Sequence, residues 1–109
     1  MRILSIKLGE ETYKSGKISL FLTKEALRVQ KEALDVAKRA EEMDMNDIDS
    51  ALEILDELTA ISDKKVWLLC EAYGNKFTAD KLERALDAEE IDAALNQLIG
   101  RTSQVIEKN

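Results

Sequence analysis

The sequence has 109 residues, of which 45% are hydrophobic, enough for one domain with a modest core. Its formal net charge of −6 is spread along the chain, whereas nucleic-acid binding requires clustered Lys and Arg. The sequence has no apolar run of about 18 residues, the length that a membrane-spanning helix needs. It also lacks histidine and proline, so the commonest general base is missing and long uninterrupted helices are possible.

Residues 1–22 have the pattern of a β element. Leu4, Ile6 and Leu8 alternate with polar residues, as in a strand with one buried face. A Gly-containing turn, the segment 12–14, and then Ser15 and Gly16 follow. The pattern therefore predicts two or three short strands, the third of which would run over residues 17–22 into a helix.

The segment 23–43 predicts a long amphipathic helix with Thr23 as its N-cap. One side carries apolar residues at spacings of three and four, and further apolar residues widen this stripe: Ala26, Val29, Ala33, Val36, Ala40 and Met43, then Leu27, Leu34 and Ala37. The small residues allow another helix to approach closely. That helix could belong to the same fold or to a second copy of the chain.

A second helix is predicted to begin at Asp47 or Asp49, because acidic residues are favoured at a helix N-terminus. Its apolar stripe is Ile48, Leu52, Leu55 and Leu58, with Ile54 beside it. Ser62 and Asp63 either cap a new helix or lie within one long helix. The pattern leaves both possibilities open.

The segment EAYGNKFTAD, residues 71–80, predicts a joint between two helices. Gly74 and Asn75 suit the left-handed backbone that closes a helix, and Thr78 suits the N-cap of the next one. Phe77 precedes this cap and Leu82 is the fourth helical residue, which is the spacing of a hydrophobic staple. The local pattern is complete without a ligand.

A short helix is predicted over residues 79–86, and Asp87 with Glu90 predicts a capping box for the last helix. That helix carries Ile91, Ala94, Leu95, Leu98, Ile99 and Val105, with a weak point over residues 100–102 after the glycine. The fold class predicted is mainly α: a small domain of four to five helices with a short N-terminal β-hairpin or β element, a minor α+β feature. The domain covers residues 1–109, with the β element in 1–22 and the helices in 23–109.

The sequence lacks the combinations of residues that catalysis requires. Cys70, the one cysteine, lies on an apolar helical stripe, where a buried thiol is the simplest interpretation. A cysteine nucleophile needs a neighbouring base, and a zinc site needs clustered Cys and His. An acidic segment, residues 44–50, lacks the Gly and Glu of a calcium loop. We therefore expect no catalytic residue, no cofactor and no metal, and favour a binding or assembly protein over an enzyme.

Three of the five aromatic residues, Trp67, Tyr73 and Phe77, lie within eleven positions of one another. Aromatic side chains dominate both small cores and protein interfaces, because they bury a large area with few torsions. The residues favour a core cluster, and a partner-binding surface is the alternative.

The stretch VWLLCEAYGNKFTADKLERAL resembles a segment of the tail assembly chaperones of long-tailed phages and prophages, especially those of Gram-positive hosts. The matching positions are Glu71, Tyr73, Gly74, Asn75, Phe77, Thr78 and Asp80. The N-terminal layout is also similar, with a short strand and Gly turn (3–9), a Ser-Gly-Lys element (15–17) and then a long helix. The helical segment 23–43 is longer than the family pattern leads us to expect.

The resemblance implies a protein that binds the long, helical tape-measure protein, keeps it soluble and helps tail-tube subunits assemble around it. Such a chaperone acts in the cytoplasm of the bacterial host, is absent from the mature virion, and is expected here to form homo-oligomers. The family-motif or partner-binding candidates are Trp67, from the aromatic cluster, and Tyr73, Gly74, Asn75, Phe77 and Thr78, which are among the matching positions. The alternatives are a small acidic adaptor or inhibitor that binds a host or phage protein, and a subunit of a helical enzyme.

The resemblance also suggests a hypothesis about the gene. In many such phages a ribosomal frameshift near the end of the short gene appends a second domain. Glu107, Lys108 and Asn109 could be encoded GAA-AAA-AAC, on which ribosomes can slip back by one base. Codons that interrupt this A-rich run would exclude the hypothesis.

Overall fold

The computed structural model describes residues 3–44 and 46–100. The predictions for Thr102, Val105 and residues 107–109 lie outside this part of the chain. The described residues form a two-stranded hairpin followed by four helices, which confirms the predicted fold class. None of these helices is long and apolar enough to cross a membrane.

The hairpin pairs β1 (Ser5–Leu8) with β2 (Glu11–Lys14) in antiparallel register, with Leu8 opposite Glu11. Gly9 adopts a positive φ of 65° in the tight turn, which glycine reaches at little steric cost. Ile6 and Leu8 are buried and Leu4 packs against the core, as the alternation predicts. The predicted third strand does not form, because its last residues belong to the first helix.

Helix α1 runs from Leu20 to Glu42, one turn longer at its start than predicted. Ser19 is the N-cap, and its hydroxyl accepts the backbone N–H of Leu22 at 3.2 Å. The assignment of Thr23 as N-cap is wrong. Its hydroxyl instead donates to the carbonyl oxygen of Leu98 at 3.2 Å, so that it ties α1 to the last helix.

Helix α2 runs from Ile48 to Ala72 without a break at residues 62–63. Asp47 is its N-cap, one of the two predicted starts, and accepts the backbone N–H of Ser50 at 3.1 Å. Arg39 and Glu57 pair at 2.7 Å between α1 and α2, and Lys64 pairs with Glu32 at 3.0 Å. The two helices therefore form a long α-hairpin, and the alanine side of α1 packs within the chain's own fold.

Helix α3 covers Ala79–Ala85 and helix α4 covers Ala88–Ile99. Asp87 and Glu90 form the predicted capping box, with hydrogen bonds of 2.8 and 3.0 Å. Gly100 ends α4 with a left-handed φ of 85°, at the position where the sequence predicted that the helix weakens.

The core lies where α1, α2 and α4 meet, closed at one end by the hairpin and α3. Helix α2 has 25 residues and α4 has 12, so their lengths are about 37 and 18 Å. Because α4 is half as long, it covers only the C-terminal half of α2. The far end of the α-hairpin extends beyond this body, and the molecule is elongated at 47 × 35 × 24 Å.

Candidate functional site

The joint after α2 closes the helix as predicted. Gly74 and Asn75 have φ values of 65° and 56°, both in the left-handed region. The N–H of Asn75 donates to the carbonyl of Cys70 at 2.8 Å, and the N–H of Gly74 donates to that of Glu71 at 3.1 Å. These two bonds form a Schellman motif. The side-chain amide of Asn75 also donates to the Glu71 carboxylate at 2.8 Å.

Thr78 restarts the helix as predicted, because its hydroxyl accepts the backbone N–H of Lys81 at 3.1 Å. Phe77 and Leu82, the predicted staple pair, are both buried in the core. The family motif therefore builds a rigid turn whose apolar side chains point inward.

The aromatic residues of the joint have two different environments. Tyr73 is 1% and Phe77 5% exposed, and their ring centroids lie 5.6 Å apart. Tyr13 completes this cluster with an edge-to-face contact to Phe77 at 5.1 Å. Trp67, by contrast, is 49% exposed. Tyr13 was not among the residues predicted from the sequence, because its position opposite Ile6 depends on a strand register that the structure shows.

The β-hairpin is fastened to the joint by polar contacts. The Lys81 ammonium donates to the Glu11 carboxylate at 2.5 Å and to the Tyr13 hydroxyl at 2.9 Å, and these bonds raise the pKa of Lys81 to about 12. Lys76 donates to the backbone carbonyl of Lys14 at 2.7 Å. These contacts give the motif a structural function, since they hold the hairpin against α2 and α3.

Two titratable groups near the joint are kept neutral by burial. Desolvation raises the pKa of the Cys70 thiol, and the nearby carboxylates of Glu71 and Glu83 raise it further. Burial also raises the pKa of Tyr73 to about 12. A thiol nucleophile needs the opposite shift, so Cys70 has the properties of an inert core residue, as predicted. No group of Cys, Asp and Glu in the described residues could hold a metal ion.

The apolar stripe predicted for α2 lies mostly in solvent. We call Ile48, Leu52, Leu55 and Leu58, which are 70, 55, 58 and 44% exposed, the α2 face. Ile54, placed beside the stripe by the sequence, is instead buried with Ile61 against α1. The apolar stripe therefore exists as predicted, but along the N-terminal half of α2 the side that faces the core carries Ile54 and Ile61, and the stripe faces solvent.

The α2 face leads into a groove between α2 on one side and α3 and α4 on the other. The groove has a volume of about 660 Å³. Its apolar lining comes from Leu55, Leu58, Val66, Leu86 and Ile91. A second cavity of about 550 Å³ lies beside Trp67 and Phe77. Asp63, Val66 and Glu83 line both cavities, so the two form one continuous depression.

A family model described as phage tail chaperone protein matches residues 1–109. The chain belongs to the phage tail chaperone family. No curated protein and no solved structure gives a significant match. The family is not known for enzymatic activity, and its members' partners are tail proteins.

The charge around the chaperone's groove is predominantly negative. Four carboxylates and one ammonium line it. The Asp87 carboxylate caps α4, and the Lys65 ammonium pairs with the Asp92 carboxylate at 2.7 Å. Each of these three charged side chains therefore already has a partner within the chain. Asp63 and Glu83 have no ion-pair partner within residues 3–44 and 46–100. A ligand that fits this groove therefore has an apolar surface with a positive charge at its edge.

The structure separates the residues predicted as site candidates. Tyr73, Gly74, Asn75, Phe77 and Thr78 together form the joint, whereas Trp67 lines the depression next to it. The α2 face is a further exposed apolar surface of the chaperone, and its residues were not among the site candidates predicted from the sequence. Their spacing was visible, but only the tertiary structure shows that α4 ends before it can cover them.

Proposed function

We propose that this phage tail chaperone binds the tape-measure protein through the α2 face and the adjoining groove, keeps it soluble and promotes assembly of the tail tube around it. The observation that carries the proposal is an apolar helix face left uncovered and continuous with an acidic groove. Monomeric proteins rarely leave such contiguous surfaces exposed unless they bind something there.

The shape and charge of the surface favour a helical client. A tape-measure chain exposes long apolar helical stripes before the tube encloses it, and such a stripe can lie in a groove between helices. Basic residues at the edge of the client helix would meet Asp63 and Glu83. The acidic surface of the chaperone, with a net charge of −6, would keep the complex soluble.

Among the site candidates, Trp67 is the residue best placed to contact the client. It is half exposed and lines the depression beside the joint, and large aromatic side chains are common anchors of protein interfaces. The buried residues of the joint would act indirectly, because they hold α3 in the position that forms the far wall of the groove. We infer that the protein acts in the bacterial cytoplasm before the tail is complete and is not retained in the virion.

The test is co-expression with the tape-measure protein encoded in the same genome, followed by size-exclusion chromatography with light scattering. We expect a soluble complex of defined stoichiometry. The double variant Leu52→Ser/Leu55→Ser should lose the complex. The matched control Leu27→Ser/Leu34→Ser changes two exposed leucines of α1 and should keep it.

Both variants change side chains that are about half exposed, so each should fold, with a loss of about 1 kcal/mol per substitution. If the tape-measure protein stays insoluble and the chaperone elutes alone, the proposal fails. The acidic groove would then point to the alternative of an adaptor for a basic protein. Equal loss of binding in both variants would refute the α2 face as the binding surface.

A further inference from the structure

The cavity beside Trp67, which we call the Trp67 cavity, has one acidic group on each of two walls. The walls are formed by α2, α3 and the joint between them. Four of the lining residues lie on one face of α2, because they follow one another at spacings of three and four: Asp63, Val66, Trp67 and Cys70. Glu83 lies on α3, and its carboxylate is close enough to the Cys70 thiol to raise the pKa of that thiol.

The floor of the Trp67 cavity is apolar, whereas its rim attracts positive charge. Val66, Cys70 and Phe77 are buried, and the Trp67 ring beside them is half exposed. Among the described residues, no lysine or arginine lines this cavity, and neither Asp63 nor Glu83 forms an ion pair. Carboxylates and the face of an indole ring both attract cations, so the rim is suited to a positively charged group.

We propose that the Trp67 cavity binds an arginine side chain of the tape-measure protein, with the guanidinium group over the Trp67 ring and between the carboxylates of Asp63 and Glu83. The inference rests on the proposed function, to which it adds the side chain that the client must present. The cavity volume of about 550 Å³ lies within the range of ligand pockets and leaves room for one long side chain. The methylene groups of that side chain pack on the apolar floor.

Arginine suits this cavity better than lysine does. The guanidinium group is planar, so it stacks flat on an indole ring while its several N–H groups donate to carboxylates on both sides. It is also more weakly hydrated than an ammonium group, so less free energy is lost when it leaves water. A lysine would supply the charge without the stacking. The cavity therefore discriminates between two side chains of the same charge.

The family motif determines the geometry of this arginine site. Phe77 lines the cavity, and Thr78 caps α3, the helix that carries Glu83. The turn at Gly74 fixes the direction in which the chain leaves α2. The joint thus sets the separation of the two acidic walls, which gives the buried motif residues a role in recognition without a contact to the client.

The groove and the cavity together define a spacing in the client. Leu58 lines the groove, and Trp67 lines the cavity nine residues further along α2, a rise of about 14 Å. A client helix that lies along α2 therefore carries its arginine about two to three turns from the apolar residue that contacts Leu58.

Small probes test the cavity directly. The chain has one tryptophan, so its fluorescence reports on this site alone. At constant ionic strength, N-acetyl-arginine amide should change the emission of Trp67 saturably at millimolar concentrations. N-acetyl-lysine amide should require a concentration about threefold higher, because it lacks the stacking contact. N-acetyl-citrulline amide, which has nearly the shape of the arginine probe but no charge, should give no saturable change.

The double variant Asp63→Asn/Glu83→Gln should lose the response to the arginine probe. The matched control Asp56→Asn/Glu41→Gln neutralises two exposed carboxylates outside the cavity and should keep it. Circular dichroism shows whether each variant is folded. Equal responses of the two variants, an equal response of the wild type to the citrulline probe, or no saturable response to arginine up to about 0.1 M would overturn the proposal.

Purified helical segments of the tape-measure protein test the role of the site in client binding. When each arginine of a segment is replaced in turn by glutamine, at least one replacement should weaken binding to the wild type by about tenfold. The same replacement should not change binding to Asp63→Asn/Glu83→Gln. Trp67→Leu should reduce the preference for arginine over lysine at that position, which a loss of stability alone would not do.

The two arms separate the arginine site from the proposed function. If the segments bind but no arginine replacement weakens them, the arginine site is refuted and the proposed function stands. If the arginine probe binds as described but no segment does, the proposed function fails and the site for an arginine side chain stands.

Discussion

Replacing Phe77 with alanine tests whether the family motif is a structural joint. Phe77 is 5% exposed and contacts the rings of Tyr13 and Tyr73 at 5.1 and 5.6 Å. Truncation of a buried Phe typically costs about 3–5 kcal/mol, through lost burial and the cavity left behind. For a domain of this size the free energy of unfolding is about 5–15 kcal/mol, so Phe77→Ala should remove a large share of it.

Urea unfolding followed by far-UV circular dichroism measures this loss. A decrease of about 3 kcal/mol also lowers Tm by more than about 10 °C in a domain near 100 residues. Trp67→Ala is the comparison, because its side chain is 49% exposed and its truncation should cost half as much, about 1.5–2.5 kcal/mol. A loss below about 1 kcal/mol for Phe77→Ala, with an unchanged m-value, would refute the assignment of Phe77 to the core.

The two variants should also differ in client binding. Trp67→Ala should weaken the complex with the tape-measure protein while the chaperone stays folded. Phe77→Ala should weaken it only to the extent that the protein unfolds, so low temperature or a stabilising osmolyte should restore binding. Restored binding by Trp67→Ala under the same conditions would contradict a direct contact.

Three further predictions concern the ends of the helices and the hairpin. Gly74→Ala should lower the free energy of unfolding by about 1–2 kcal/mol, because a residue with a Cβ is strained at the φ of 65° that Gly74 adopts. The loss would come from the backbone alone, since no other atom lies within 4 Å of the added Cβ. Ser19→Ala should cost about 1 kcal/mol as the loss of an N-cap, and Thr23→Val about 0.5–1.5 kcal/mol as the loss of one hydrogen bond. The stability that the Glu11–Lys81 pair contributes should be lost at both ends of the pH range. The pKa of Glu11 is lowered from 4.5 and that of Lys81 is raised from 10.5 to about 12, so the contribution is present between pH 4.5 and 10.5 and disappears beyond the shifted values.

Each of these has a measurement that can contradict it. Gly16→Ala meets equally open space without a positive φ, so an equal loss in both glycine variants would refute backbone strain at Gly74. A cost at Thr23 but none at Ser19 in urea unfolding would restore Thr23 as the cap. If the stability difference between wild type and Glu11→Gln does not shrink at low and high pH, the pair does not contribute as its geometry indicates.

The local structure of the chain follows from its sequence alone. The Schellman turn at Gly74, the caps Asp47 and Thr78 and the capping box from Asp87 to Glu90 all follow from side chains that satisfy backbone groups within a few residues. Such interactions need no distant partner, so the sequence contains all the information that they require. The family resemblance also lay in this segment, because the motif is a local solution for joining two helices.

Which apolar residues are covered depends on the tertiary structure. Ser19 caps α1, and the Thr23 hydroxyl instead has a partner 75 positions away, the carbonyl oxygen of Leu98. The periodicity of α2 identified an apolar stripe, but burial depends on how far the neighbouring helices extend. Since α4 has 12 residues and α2 has 25, α4 does not extend along the N-terminal half of α2, and the stripe there stays exposed. The surface proposed to bind the client is a consequence of that difference in length, which no local pattern in α2 records.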